Sequence, residues 1–385
     1  MTWTLSAKRL FTPFEVIERP RVFVDGDLIT RVATQQEAEV VGQDVSFKDA
    51  FLAPGFVDIH IHGGGGHDVM EDDASALPAV ESQLARHGVS AYYPTTVTAP
   101  LDRTLRALEH LGTAIERMGE GPSSPGRARP LGIHLEGPFI SHARRGVHPP
   151  QDLLAPRVET FNKFWDAAHG QIRVMTIAPE LEGALDVIEL ASRLGVCVSL
   201  GHSDATYGLA QRGIEAGARH ATHTFNAMRP LGHRDPGILG AALVSEHLTA
   251  DVIADGIHLD PVILELFLKA KGIDRAVLIT DAIAATGMPE GRYMLGSLEV
   301  EVKDGACMHD GKLAGSVLTM DRAVRNVAAL GGWNLQKAVQ LATANPARVL
   351  GQNSRGRIAA GMAADLAVLD EHGQVLKTIV GGAIH

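Results

Sequence analysis

The 385-residue sequence predicts an α/β fold, a (β/α)8 TIM-type barrel with a small β-sandwich domain formed by both chain termini. Three observations carry this. The middle of the chain alternates short apolar β-type runs with helical stretches, eight strands in all, which is the strand count of such a barrel. Polar residues end six of those strands, whereas a doubly wound sheet would place one glycine-rich phosphate turn early and little chemistry elsewhere. The two ends of the chain share a different pattern, short β-rich runs broken by turns.

The strands are expected at 56–62, 90–95, 131–136, 173–178, 196–201, 220–225, 248–254 and 277–281. Helices are expected between most of them, at 76–87, 101–117, 183–194, 207–216 and 261–271. At the N-terminal end, runs 21–24 and 28–32 flank Asp25-Gly26-Asp27, a hairpin signal. Residues 355–382 behave alike in GRIAAGMAADLAVLD and QVLKTIVGGAI. The division follows: residues 1–53 with 352–385 form the β domain, and residues 54–351 form the catalytic barrel. The stretch GEGPSSPGRARP at 119–130 reads as a surface loop.

Composition bounds the function. A hydrophobic fraction of 45% with 21% charged residues allows a sizeable core, and 41 glycines suit many tight loops. A net charge of −10 argues against a general nucleic-acid partner. It leaves room for an anionic small substrate held by local positive groups. The two cysteines, Cys197 and Cys307, stand far apart and outside any CxxC, so neither a disulfide framework nor a zinc ribbon is expected. The opening MTWTLSAKRLF lacks the apolar core of a signal peptide, and no apolar run reaches the roughly 20 residues of a membrane span, so no membrane partner and a cytoplasmic location are expected.

The chemistry lies at the strand ends. Strand one closes with Asp58-Ile59-His60-Ile61-His62, and side chains two apart on a strand share a face, so His60 and His62 point together into the barrel mouth. Strand three ends in Glu136, strand five in His202, strand six runs through His223, and strand eight ends in Asp281. The bland readings are a pair of core histidines, a capping or salt-bridged acid, and lone structural or surface histidines. Together they place four imidazoles and two carboxylates at one end of five strands, which is a metal-site pattern. Such donors suit Zn²⁺ first, with Fe²⁺, Co²⁺ or Mn²⁺ as alternatives, and one or two ions. A bound ion lowers the pKa of its water to near 7, and a neighbouring aspartate can relay the proton to a leaving amine, which is the equipment for amide hydrolysis.

The run Pro54-Gly55-Phe56-Val57-Asp58-Ile59-His60-Ile61-His62 resembles the opening signature of the amidohydrolase superfamily. Further blocks, in order, are similar to the N-acetylglucosamine-6-phosphate deacetylase family: His134-Leu135-Glu136-Gly137-Pro138-Phe139, Gly201-His202-Ser203, Thr222-His223-Thr224-Phe225-Asn226-Ala227-Met228, Ala254-Asp255-Gly256-Ile257-His258, Thr280-Asp281-Ala282 and Leu313-Ala314-Gly315-Ser316. The resemblance implies Glu136, His202 and His223 as principal metal ligands, with His60 and His62 as the pair found where two ions are held and Glu136 bridging them. It implies Asp281 as general base and acid and His148 as the histidine that polarises the acetamide carbonyl. It implies sugar-phosphate contacts at Asn226, Ala227, Arg234 and His258, with the Leu313-Ala314-Gly315 run beside them. In that family the arginine reaches in from a neighbouring subunit, so a homodimer is implied. Dihydroorotase-like relatives bridge their metals with a carboxylated lysine on strand four, but here 174–180 has no lysine, which again leaves Glu136.

The substrate implied is a phosphorylated N-acetyl amino sugar. Arg229, His233 and Arg234 in one loop and Arg144 and Arg145 in another are candidate phosphate donors, unless they are ordinary solvated loop charges. The loop 140–150 is a candidate lid. The alternatives are a deacetylase for a different N-acetyl amino sugar phosphate, or a non-catalytic scaffold of the same fold.

Overall fold

The apolar runs of the middle region become eight parallel strands: β1 (Phe56–Ile61), β2 (Val89–Thr96), β3 (Ile133–Glu136), β4 (Ile172–Ile177), β5 (Cys197–Leu200), β6 (His220–Ala221), β7 (Ala250–Ile253) and β8 (Ala276–Ile279). The structure, a computed structural model, describes residues 2–119 and 126–384, so part of the expected 119–130 loop lies outside the described residues. Strands β1 to β6 pair in parallel in sequence order, as do β7 and β8. The ring is completed by backbone hydrogen bonds. Thr249 N–H reaches Arg219 O at 3.0 Å between β6 and β7, and Asp281 N–H reaches His60 O at 2.9 Å between β8 and β1. Every residue of β1, β2, β7 and β8 is buried, as expected of parallel strands covered by helices.

The helices around the barrel include α1 (Ala76–Arg86), α2 (Leu101–Gly119), α3 (Val158–Ala167), α4 (Ala184–Arg193), α5 (Tyr207–Ala216), α6 (Gly237–Val244), α7 (Pro261–Lys271) and α8 (Met320–Leu330). Local signals place several ends. Thr206 Oγ1 accepts from Leu209 N–H to cap α5, and Asp260 caps α7 ahead of Pro261. Helices α3, α6 and α8 are absent from the expected set. In α6 the segment GILGAALV is buried from Gly237 to Leu243 and has no polar face, so no 3.6-residue periodicity marks it. Strand six is shorter than expected. His223, Phe225 and Ala227 all take positive φ, which ends the extended ladder after Ala221.

Among the described residues three further sheets accompany the barrel, the smallest a two-stranded pair of Gly63–Gly64 with His67–Asp68. Strands Thr2–Phe11, Val16–Glu18, Pro20–Asp25, Leu28–Thr34 and Gln43–Pro54 join Leu366–Leu369, Val375–Val380 and Ala383–Ile384 in one mixed sheet. Its hairpin turns at Asp25-Gly26-Asp27, and Gln43–Pro54 pairs antiparallel with Leu366–Leu369. After β8 the chain makes a four-stranded antiparallel sheet, Gly291–Leu295, Leu298–Lys303, Ala306–His309 and Lys312–Leu313, with its own core of Ile283, Leu295, Val300, Val302 and Cys307. No element is expected there from the reading above, although the alternation LEVEVK and the Asp304-Gly305 turn, both at positive φ, carry the signal. Among the described residues no helix is long and apolar enough to cross a membrane.

An ion cluster around the buried Asp321 links α8 to the end of α1. At the start of α8, Asp321 accepts from Thr319 Oγ1 at 2.7 Å, meets Arg325 at 2.7 Å and faces His87 Nδ1, just past α1, at 3.1 Å. Burial pushes this carboxyl up, but the bonds to His87 and Thr319, His87's charge and the Arg325 bond outweigh it and hold the pKa down at about 2. A depressed carboxylate stabilises the fold above its unfolded pKa near 3.8, and that stability is lost as pH falls toward 2. The displacement is worth about 2 kcal/mol. Asp321→Asn is therefore expected to lower stability at pH 7 and to flatten the loss between pH 4 and 2 in denaturant titrations. An unchanged acid limb would refute this account.

Candidate active site and metal centre

Alternation along β1 turns His60 and His62 to the same side, and Glu136 enters from the end of β3. His202, His223 and Asp281 follow β5, β6 and β8, each at positive φ (47°, 27° and 51°). These left-handed turns lift the chain off the ladder and keep the side chains at the barrel mouth; such strain clusters at functional sites. The turn at His223 is held from below: Asp251 accepts the His223 backbone N–H through one oxygen and bonds His220 Nε2 at 2.9 Å through the other.

The six donors converge. His60 and His62 Nε2 atoms lie 3.3 Å apart, and those of His202 and His223 lie 3.0 Å apart. Glu136 sits at the hub, with Oε1 3.3 Å from His60, 3.3 Å from His202 and 3.1 Å from His223, and Oε2 3.3 Å from His62. Asp281 Oδ1 lies 3.1 Å from His62 and 3.5 Å from His60. Burial alone would raise both carboxyls. The surrounding histidines reverse this, His60 first: Glu136 is held well below the usual range and Asp281 at about 2. Glu136 in turn helps lift His223 to about 9 against burial. Protonated imidazoles are thus how the polypeptide alone would balance its buried carboxylates, and a cation can take over that task.

Imidazole tautomers test whether a metal fits. The Nδ1 atoms of His62, His202 and His223 face the carbonyls of Thr95 at 3.0 Å, Arg144 at 3.0 Å and Asn226 at 3.2 Å. A carbonyl only accepts, so each Nδ1 carries hydrogen and, in the neutral ring, each Nε2 turns a lone pair toward the centre. Lone pairs and a carboxylate at these spacings repel unless a cation lies among them. Separations of about 3 to 3.5 Å are those of ligand atoms sharing one ion. The residues therefore fit a divalent metal, with outer bonds to backbone carbonyls orienting the ligands as metal histidines require.

His148 is different. It lies near Glu136 and His202, and its Nε2 is 3.7 Å from Glu136 Oε2. Its Nδ1 receives the backbone N–H of Thr98 at 3.3 Å and lies 2.7 Å from that residue's hydroxyl. An amide hydrogen has a fixed direction, so Nδ1 is bare and the proton sits on Nε2. Burial, followed by the charge of His202, pushes the His148 pKa down to about 3, so the ring stays neutral. His148 is thus a neutral N–H donor at the site, while His62, His202 and His223 are acceptors.

The profile of the amidohydrolase family matches residues 51–384. The chain belongs to the amidohydrolase family. Within it, the chain is 37% identical to the N-acetylglucosamine-6-phosphate deacetylase of Lysinibacillus sphaericus, covering 95% of this chain and 93% of that protein. It is 35% identical to the N-acetylgalactosamine-6-phosphate deacetylase of Escherichia coli O157:H7, covering 100% and 99%. Among solved structures it is similar to a mutant Mycobacterium smegmatis N-acetyl-D-glucosamine-6-phosphate deacetylase in complex with N-acetyl-D-glucosamine 6-phosphate, with TM-score 0.92, 35% identity and coverage of 100% and 99%.

In this amidohydrolase the centre opens into a cavity of about 160 Å³, bordered also by His148, Asn226, Ala227, His258, Leu313 and Gly315. Asn226 Nδ2 is buried without a hydrogen-bond partner among the described residues, a donor left over at the site. Ala314 is buried and does not border the cavity, and Arg234, expected to reach into a neighbouring subunit, is exposed and does not line the cavity of its own chain. Arg144 and Arg229 are engaged by Asp204, and Arg145 donates to His142 O, so these loop arginines are bound to the protein. The loop 140–150 already lies over the centre through Gly146, Val147 and His148, fastened by Ser141 N–H to His202 O at 2.9 Å. Val97, Ile253 and Leu295 border the cavity, and Thr98 holds His148, without any expectation from sequence. Val97 and Thr98 follow β2 directly, so their place at a strand end was the available signal.

Proposed function

We propose that this chain hydrolyses N-acetyl-D-glucosamine 6-phosphate to D-glucosamine 6-phosphate and acetate. The observation that carries the reading is the sorting of side chains at the barrel mouth: acceptor imidazoles and a hub carboxylate for a metal, one neutral donor imidazole, and one ionised aspartate. A divalent ion held by His60, His62, Glu136, His202 and His223 would supply ionised water at neutral pH and an electrophile for the acyl oxygen. His148 Nε2–H donates to the acyl oxygen and stabilises the charge developing there. Asp281 takes the proton of the attacking water as the new C–O bond forms, then returns it to the nitrogen as the C–N bond breaks. Zinc is the first choice of ion, with one or two bound per subunit. A phosphorylated sugar as substrate is consistent with the expected cytoplasmic location.

The sugar end has Asn226, Ala227 and His258, and no lysine or arginine borders the cavity among the described residues. A phosphate lacking a cation there supports a homodimer in which the partner's Arg234 completes the site. Arg234→Ala is expected to raise KM for the phosphorylated sugar about 10-fold or more, while leaving the unphosphorylated sugar little affected; equal effects on both would refute the role. The division into a terminal β-sandwich domain (1–53, 352–385) and a catalytic barrel (54–351) is supported by a separate apolar cluster drawn only from the chain ends, including Leu5, Val22, Leu52, Leu366 and Ile379.

A second reading, the galactosamine isomer as substrate, is favoured by the end-to-end match to the Escherichia coli relative. Turnover of the N-acetyl glucosamine, galactosamine and mannosamine 6-phosphates, compared side by side, tests the choice. Inactivity on all three would overturn both readings.

A further inference from the structure

The cavity is not uniform. Outside the metal centre and His148, its polar side chains, Asn226 and His258, come from the turns after β6 and β7, beside the apolar Ala227 and Ile253. Three apolar lining residues, Val97, Val147 and Leu295, are linked to His148 through the chain, Thr98 and Gly296, and Leu313 adds a further apolar side chain. Val97 and Leu295 are each only 3% exposed while bordering the cavity, so they form part of its closed floor. Val147 packs against the same apolar cluster as Leu295.

This patch is tied to His148 at two points. Val97 precedes Thr98, whose N–H fixes the His148 tautomer, and Val147 immediately precedes His148. Leu295 is held by its neighbour Gly296, whose N–H donates to Asp68 Oδ2 at 2.7 Å and whose carbonyl accepts from Arg103 Nη2 at 3.1 Å. Gly296 sits at φ +56°, and a Cβ there would lie 2.4 Å from Val97 Cγ1, so the turn presses directly on Val97. The inserted sheet and the β2 end therefore meet in van der Waals contact, with little freedom to widen.

We propose that Val97, Val147 and Leu295 form the acyl pocket and set the acyl-chain length this enzyme accepts. The inference rests on the deacetylase reading above. With the acyl oxygen on His148 Nε2–H and the amine side directed toward the polar residues, the remaining substituent of the acyl carbon, two bonds from that oxygen, faces this wall. A methyl group fits against apolar side chains there. A longer chain meets Val97 and Leu295, which the Gly296 clamp prevents from retreating.

The test is the ratio of kcat/KM for N-propionyl over N-acetyl glucosamine 6-phosphate, in which a uniform loss of activity cancels. Leu295→Ala and Val97→Ala are each expected to raise that ratio by about tenfold or more, the scale of one methylene in an apolar pocket. Leu295→Phe is expected to lower it and to favour the N-formyl substrate. Leu295→Val, a smaller truncation, gives the same direction if the alanine variant does not fold. Unchanged ratios in both truncations, with the wild type active on the acetyl substrate, would overturn the acyl pocket alone. A wild type inactive on every phosphorylated N-acetyl sugar would overturn the deacetylase reading, and the pocket with it.

Discussion

Asp281→Asn is expected to lower kcat by about 10³-fold or more while leaving metal content close to that of the wild type. Asp281 lies 3.1 Å from His62 Nε2 and 3.5 Å from His60 Nε2, and its side chain is only 12% exposed. The histidines keep its carboxyl ionised, at about 2, across the physiological range, so it can accept a proton at any working pH. An asparagine keeps the shape and one oxygen but has no basicity, so neither proton transfer can occur. Glu136, His202, His223, His60 and His62 all remain, so metal analysis by mass spectrometry should find the ion in place. Turnover near the wild-type rate would refute the role of Asp281. Loss of metal together with activity would reassign it as a ligand first.

Glu136→Gln is expected to do the reverse, removing the ion and the activity together. Glu136 is the one carboxylate that His60, His62, His202 and His223 all approach within 3.3 Å. Replacing it leaves the neutral imidazoles with lone pairs facing a common centre and only Asp281 to offer negative charge. Apparent metal affinity should fall by at least about 100-fold, more than the loss typical of an outer-sphere residue. The thermal midpoint should then cease to respond to added metal, because stabilisation by a ligand scales with its affinity for the folded state. Chelator treatment of the wild type should reproduce the loss of activity, with recovery on adding Zn²⁺. A Gln variant that retains stoichiometric metal and turnover would refute the hub assignment.

These effects concern residues whose types and strand-end positions are legible in the chain itself. The pair His60 and His62 is written as a two-residue alternation, and period two is a local property of any strand. The same holds for the barrel's eight apolar runs and for the hairpin at Asp25-Gly26-Asp27. Helix α6 escaped because burial on all sides erases the amphipathic contrast that periodicity needs. The inserted sheet at 291–313 shows ordinary alternation, and lay hidden only because a helix is what usually follows a barrel strand.

The roles within the site are less local. Four buried histidines of the site look alike as letters, yet the Thr98 amide makes His148 a donor while carbonyls of Thr95, Arg144 and Asn226 make His62, His202 and His223 acceptors. The partners of these rings lie 50, 33, 58 and 3 residues away in sequence. Arg144 and Arg229 read as free cations until Asp204 is brought beside them.

By itself the sequence determined the strands, the barrel they close into and which side chains stand at their ends, because alternation and burial act between near neighbours. Only the tertiary structure decided which nitrogen of His62, His148, His202 and His223 carries the proton, which arginines are already neutralised and which apolar residues border the cavity. A hydrogen bond or an apolar wall is settled by the group across the gap, and chain closure sets that group's identity.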